Sequence, residues 1–206
     1  ITSTSEVYGS AKYIPIDEKH PISAQSPYSA TKISADQLAL SYYNSFQLPI
    51  KIIRPFNIYG PRQSSRAVIP SIIIQALNNN KEIKLGNVEP SRDFTYVTDT
   101  CNAFLDILKT KNFFGNTLNV GSNNEYTIED IAKKILAKLN SRASIKKEIQ
   151  RTRSSKSEVV RLVCDNSKIL KHTQWKPMIK IEKGLDMTIK WFREFKDLFK
   201  HDIYHV

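Results

Sequence analysis

Short runs of branched apolar residues alternate along this chain with stretches whose apolar positions recur at helical spacing. That alternation constrains the fold more than any other feature, because strand–helix–strand order calls for an α/β architecture with a parallel sheet. Residues Ile1 to Gly9 read as the end of a strand running into a polar turn, and residues 10–25, with Pro15, Asp17, Pro21 and Ser23, read as an irregular loop. Ser26 before Pro27 is a helix start, and Ala35, Leu38, Ala39, Tyr42 and Tyr43 carry that helix to about Ser45. Ile50, Ile52 and Ile53 predict a short buried strand that Arg54-Pro55 ends. A helix is expected over Ala67–Leu77, strands over Glu82–Leu85 and Asp93–Val97, a helix capped at Thr98 and reaching about Leu108, and a strand over Thr117–Val120. Thr127 with Asp130 forms a capping-box pattern ahead of Ile128, Ile131, Ile135 and Leu139. Strands are predicted over Ile145–Ile149 and Val159–Val163, then a last helix with Leu185, Ile189, Phe192 and Phe195 inward. The later, more mixed portion predicts a smaller lobe packed on the sheet.

Composition narrows the class. At 206 residues, with 40% apolar and 25% charged, the chain can bury one sizeable core. Six glycines, nine prolines and 10% aromatic residues exclude collagen-like, low-complexity and disordered chains. No apolar run approaches the roughly 18–20 residues of a membrane span, and the opening residues do not form a secretory-signal pattern. Cys101 and Cys164 stand far apart in a thiol-poor chain, which suits a reducing cytoplasm, and the four histidines lack zinc-ligand spacing. The net charge of +11 is uneven: residues 1–100 carry 10 Lys/Arg and 8 Asp/Glu, and residues 101–206 carry 21 and 12. A basic second half is compatible with nucleic acid, an anionic membrane surface or a phosphorylated small substrate. Lys133, Lys134 and Lys138 read as the solvated face of a helix. Lys146, Lys147, Arg151, Arg153 and Lys156 fall in a Ser-rich stretch that reads as a mobile loop.

Five motifs carry chemistry. Tyr28-Ser-Ala-Thr-Lys32 places a phenol and an ammonium four residues apart, on one helix face. The ammonium favours the phenolate, which makes a general base for an alcohol. Alone the pattern is weak, since a packed tyrosine and an exposed lysine give the same spacing. Ser3-Thr-Ser-Glu6-Val-Tyr-Gly9 puts hydroxyls and a carboxylate where a strand should end, the place where parallel sheets gather reacting groups; the alternative reading is a helix N-cap. Arg54-Pro-Phe-Asn57-Ile-Tyr-Gly-Pro61 follows the next strand, Arg92-Asp-Phe-Thr-Tyr-Val97 forms another, and Glu158 with Arg161 closes the set.

Together and in this order, these residues closely resemble the extended short-chain dehydrogenase/reductase family, specifically its NAD-dependent sugar-nucleotide epimerases and dehydratases. The similarity runs from about Ile1 to at least Ile169, and Thr2–Gly9 and Arg54–Arg62 look most like the branch of 4,6-dehydratases in legionaminic-acid biosynthesis. The resemblance implies the C-terminal part of a Rossmann-type sheet, over 1–62 and about 94–120, and a nucleotide-sugar lobe, over about 63–93 and 121–206. It implies that Tyr28 is the base on the sugar 4-hydroxyl, that Lys32 holds the nicotinamide ribose, and that Thr4 shares the 4-oxygen. Glu6 would take the C5 proton before water leaves C6. Ser5 stands where glucose dehydratases carry Asp, as in GDP-mannose dehydratases. A 4-epimerase has no need of Glu6, whereas UDP-glucuronate decarboxylases also show Thr-Ser-Glu, so that alternative stays open. By the same resemblance Pro55 borders NAD, Asn57, Arg92 and Arg161 contact the diphosphate, and Val68, Lys84 and Leu85 form the base and ribose pocket. A guanidinium fork suits phosphate oxygens; Arg92 alternatively pairs with Asp93 or another acid, and Asn57 is alternatively a turn residue. A homodimer through the Tyr28 helix, near Leu40 and Tyr43, is implied, with no membrane and no nucleic acid as partner. The remote alternative is a basic, non-catalytic nucleic-acid or nucleotide-binding module, whose affinity would fall steeply with salt.

Gly9, Gly60, Gly86, Gly115, Gly121 and Gly184 do not reproduce the family's G-x-x-G-x-x-G loop, so no backbone cradle for the NAD pyrophosphate is present. The expectation is therefore a C-terminal portion of a longer enzyme. Such a piece would expose a sheet edge and an apolar face, and would be poorly stable and inactive unless complemented.

Overall fold

A computed structural model describes residues 1–151 and 158–199. Strand and helix alternate as the patterning requires. The first segment enters beside the strand that follows the first helix: Ser3 N–H donates to Ile53 O at 2.8 Å and Ile53 N–H to Ile1 O at 2.9 Å, a parallel bridge at Thr2 and Ile53. The chain then turns through a 3₁₀ segment, Ser5–Tyr8, and an irregular loop into helix α1 (Pro27–Phe46). Ser26 caps α1 as the sequence predicts, in a reciprocal pair with Ser29. Next come β1 (Lys51–Pro55), β2 (Asn57–Tyr59), α2 (Val68–Leu77), β3 (Glu82–Leu85), β4 (Ser91–Tyr96) and α3 (Val97–Lys109). The second half holds β5 (Asn116–Val120), β6 (Glu125–Thr127), α4 (Ile128–Lys138), β7 (Ser144–Lys147), β8 (Arg161–Leu162), α5 (Ser167–His172) and α6 (Ile181–Glu194).

Parallel pairing dominates. β1 pairs with β5, β2 with β4, β3 with β7 and β8 with β4, all parallel, and β6 alone among the described strands is antiparallel, against β4. The apolar clusters match this layering. Ile72, Ile73, Ile83, Ile131, Ile135, Leu185 and Phe192 meet where α2, α4 and α6 pack on β3 and β4. Ile53, Leu118, Val120, Ala103 and Ile107 form a second cluster under β1 and β5, with Trp175 and Ile169. Val7, Tyr8, Ile16, Phe56 and Leu162 join the first segment to the later chain. Parallel strands covered on both faces read as continuous apolar runs, which is why β1 was legible.

The differences have physical causes. β1 continues through Arg54 and Pro55, paired with Asn119 and Val120, because a proline at a strand's last position forfeits only one donor. Thr98 does not cap α3. The helix starts at Val97 straight from β4 with no side-chain cap, and Asp99 in its first turn accepts instead from the N–H groups of Met178 and Ile179, at 2.9 and 2.8 Å. β2, β6 and α5 were not predicted, since elements of three to six residues show no period. β7 ends at Lys147 and β8 covers only Arg161–Leu162, so both expected strands shorten. Phe195 is 38% exposed rather than inward, because the helix ends one residue before it. The basic cluster is not simply a loop: Lys146 and Lys147 lie in β7, Lys146 pairs with Glu82 at 2.9 Å and Arg151 with Glu148 at 2.5 Å. Arg153 and Lys156 lie outside the described residues. Lys134 and Lys138 are not freely solvated either; they reach Glu182 and Asp186 on α6, at 3.0 and 2.6 Å.

Candidate active site

The first segment and α1 form one side of the site. Thr4 is the N-cap of the Ser5–Tyr8 turn, its Oγ1 accepting from Glu6 N–H at 3.3 Å. The alternative cap reading is thus realised, and the capping bond leaves the Thr4 hydroxyl proton free to donate. Thr4 and Ser5 are buried, whereas Glu6 is half-buried and lines a cleft. α1 packs against this same turn. On α1, Tyr28 is 53% exposed and Lys32 stands one helical turn on, its Nζ 6.0 Å from the centre of the Tyr28 ring. Lys32 Nζ also donates to Thr2 O at 3.1 Å, so the helix face carrying the phenol is held to the strand that leads to Thr4 and Glu6.

The cleft has a volume of about 370 Å³. Of the residues expected there, Glu6, Asn57, Val68, Lys84, Leu85 and Arg92 line it together, whereas Thr4, Ser5, Tyr28, Lys32, Pro55 and Arg161 do not. Asn57 sits in β2, not in a turn, and its Oδ1 is a buried acceptor without a partner among the described residues. Gln63 Oε1, in the same wall, is another. Buried acceptors left open in a cleft wall are what a polar ligand would satisfy. α2 starts at this wall with no side-chain cap, and Ala67, Val68 and Ile69 at its start line the cleft, so the uncapped helix end borders this space. Arg66 and Arg151 also line the cleft; with Lys84 and Arg92 they make four basic side chains against Glu6 and Glu158. The sequence reading missed Gln63, Arg66 and Arg151 as lining residues. The available signal was the uncapped helix start at Ala67–Val68 next to an arginine.

Arg92 belongs to the cleft wall and does not pair with Asp93. It donates to Ser91 O at 2.9 Å and approaches Glu158 at 3.6 Å. Asp93 points to the opposite side of β4, where burial holds its carboxyl above the usual range against four donors that pull it down. Arg161 lies outside the cleft wall, its Nε and Nη2 both 2.7 Å from the Glu125 carboxylate, and this bidentate pair holds Glu125 below its usual range. Ser91 Oγ donates to the same carboxylate.

The sequence model of the GDP-mannose 4,6 dehydratase family matches residues 1–188. The chain belongs to that family. Human dTDP-D-glucose 4,6-dehydratase is 31% identical over 195 residues, a match covering 93% of this chain and 55% of the relative. The structure of dTDP-glucose 4,6-dehydratase from Bacillus anthracis, in complex with NAD, superimposes with a TM-score of 0.86 at 34% identity, over 95% of this chain and 61% of that one. UDP-glucuronic acid 4-epimerase from Bacillus cereus, in complex with UDP-glucuronic acid and NAD, gives a TM-score of 0.86 at 29% identity, over 94% and 60%. This chain of the GDP-mannose 4,6 dehydratase family thus spans about half the length of the curated relatives it matches.

Proposed function

We propose that the protein is an NAD-dependent sugar-nucleotide 4,6-dehydratase, acting on an NDP-hexose or NDP-N-acetylhexosamine. One observation carries the reading: Glu6 enters a cleft walled by Asn57 and Arg92 from the same turn against which α1, bearing Tyr28 and Lys32, is packed. The residues fit the nicotinamide–ribose end of NAD. Lys32 spends one of its three N–H donors on Thr2 O and keeps two for ribose hydroxyls, beside an exposed phenol. The pyrophosphate end has no glycine-rich cradle in this chain.

NAD, when bound, supplies the acceptor for the C4 hydride and its return to C6. Tyr28 takes the 4-hydroxyl proton, with the Lys32 charge beside it and the Thr4 hydroxyl donating to the same oxygen. Glu6 takes the C5 proton made acidic by the new ketone and passes it to the departing 6-hydroxyl, because Ser5 offers no carboxyl for that step; C5 then takes a solvent proton through Glu6, and the proton held by Tyr28 returns to solvent. The uncapped start of α2, with Arg66 and Arg92, suits the diphosphate. Arg161 would serve it only after leaving Glu125. Val68, Lys84 and Leu85 suit the base and ribose. The likeness of Thr2–Gly9 to dehydratases of legionaminic-acid biosynthesis favours an N-acetylhexosamine and a role in cell-surface polysaccharide, in the cytoplasm. Among the described residues no helix is long and apolar enough to cross a membrane. A homodimer through α1 is supported by the exposed ridge of Leu38, Tyr42 and Phe46; Tyr43 instead rests on Gly115 of its own chain. The division into a dinucleotide domain, 1–62 and about 94–120, and a substrate lobe is part of the same reading.

The test supplies dTDP-, UDP- and GDP-activated hexoses to the whole protein with NAD in heavy water. Loss of water with deuterium at C5 is expected, and Glu6→Gln should abolish elimination while hydride transfer continues. Inversion at C4 without mass loss, or loss of carbon dioxide from UDP-glucuronate, would overturn the dehydratase in favour of the epimerase or decarboxylase.

A further inference from the structure

One buried ion pair lies outside every role described so far. Tyr28, Lys32 and Asp36 follow one another at four-residue spacing on α1, so Asp36 extends the face that carries the proposed base. Its carboxylate is 1% exposed, and one oxygen, Oδ2, takes three donors: Ser3 Oγ at 2.9 Å, Arg54 Nη2 at 2.9 Å and Arg54 Nε at 3.1 Å. Arg54 comes from β1, one residue before Pro55, and its guanidinium is 4% exposed. Its remaining nitrogen donates to Tyr8 Oη at 3.1 Å, and Tyr8 donates to Asn119 on β5 at 2.7 Å. A single carboxylate oxygen thereby joins α1, β1 and Ser3, and Ser3 immediately precedes Thr4.

Desolvating both charges consumes most of what their attraction returns, so such a pair adds little to stability over an apolar pair of the same volume. What it does add is direction. An apolar contact lets a helix slide on its neighbour, whereas three donors converging on one oxygen fix its height and rotation. Resting on the dehydratase reading, we infer that Asp36, held by Arg54 and bonded to Ser3, is a positioning residue that sets the spacing between Tyr28 on α1 and the Thr4–Glu6 segment. Among the described residues, the other hydrogen bond from α1 to residues 2–6 is that of the flexible Lys32 side chain to Thr2 O, and the remaining contact is non-directional packing of α1 on the Ser5–Tyr8 turn.

The experiment uses Ser3→Ala in the whole protein, because it cuts the Asp36–Ser3 tether and leaves the ion pair in place; Asp36→Asn is the second variant. Ser3→Ala should lower kcat by about 10²-fold, the cost of a misplacement of roughly 1 Å. Nucleotide affinity, measured by calorimetry with UDP, GDP and dTDP, should stay within about twofold of wild type. Amide deuterium exchange of Thr4–Val7 and of the first turn of α1 should rise together, with α4 unchanged. A kcat near wild type, nucleotide affinity falling in step with kcat, or exchange unchanged at either segment overturns the inference. If wild-type protein turns over no sugar nucleotide, the dehydratase reading fails by itself, and the paired exchange change alone decides whether Asp36 ties the two segments.

Discussion

Asp93→Ala removes the most heavily used buried carboxylate beside the cleft wall. Asp93 is fully buried. Its Oδ1 accepts from Ser122 N–H at 2.8 Å and Ser122 Oγ at 2.6 Å, and its Oδ2 from Asn123 N–H at 2.8 Å and Cys164 N–H at 3.2 Å. Alanine leaves three backbone donors without their carboxylate partner at a fully buried position. An unsatisfied buried donor costs about 1–3 kcal/mol, and loss of the desolvated charge offsets part of the sum, so about 3–5 kcal/mol is expected. Asparagine is milder. With its carbonyl toward Asn123 and Cys164, its amide opposes only Ser122 N–H, while the Ser122 hydroxyl can rotate to accept; about 1–3 kcal/mol follows. Urea unfolding followed by fluorescence of Trp175 and Trp191 measures both differences. The pH dependence has a fixed sign. Burial raises the folded carboxyl above its unfolded value, so its contribution is fully present below the unfolded pKa and is lost as pH rises through the folded one. Wild type should therefore gain on Asp93→Asn as pH falls toward 4. Asp93→Ala within about 1 kcal/mol of wild type, or asparagine costing more than alanine, would refute the reasoning.

Two further outcomes follow from the same physics. Burial pushes the Tyr8 phenol up to about 12, so its stabilising term is intact below pH 10 and is lost as pH rises through 12; about 2–3 kcal/mol is at stake. Alkaline unfolding midpoints of wild type and Tyr8→Phe should converge over that window, and a constant difference would argue against a buried neutral phenol. Thr127 and Asp130 form a reciprocal cap at the start of α4, with Thr127 Oγ1 accepting from Asp130 N–H at 3.0 Å. Thr127→Ala should cost about 1 kcal/mol in urea unfolding, and a neutral effect would show the cap to be dispensable.

Much of the chain could be read in advance because its signals are local. Ser26-Pro27 and the Thr127–Asp130 pair announce helix starts by side-chain chemistry that needs no partner strand. The Tyr28–Lys32 face follows from helical periodicity alone. Elements of three residues, such as β2 and β6, carry no period, and their extended shape comes from pairing with β4. Arg151, Gln63 and Arg66 became cleft residues only once β3, β7 and α2 had brought distant segments to one wall.

By itself, then, the order of residues determined the α/β class, the helix caps and the motif-bearing segments, because propensity, capping and spacing act within a few residues of one another. Only the tertiary structure decided which charges meet. Arg161 binds Glu125 and Arg92 approaches Glu158, while Asp36 closes on Arg54 and Ser3 across separations of 18 and 33 residues. Guanidinium and carboxylate groups recognise any partner of the right geometry, and that geometry exists only after the sheet has paired and the helices have packed on it.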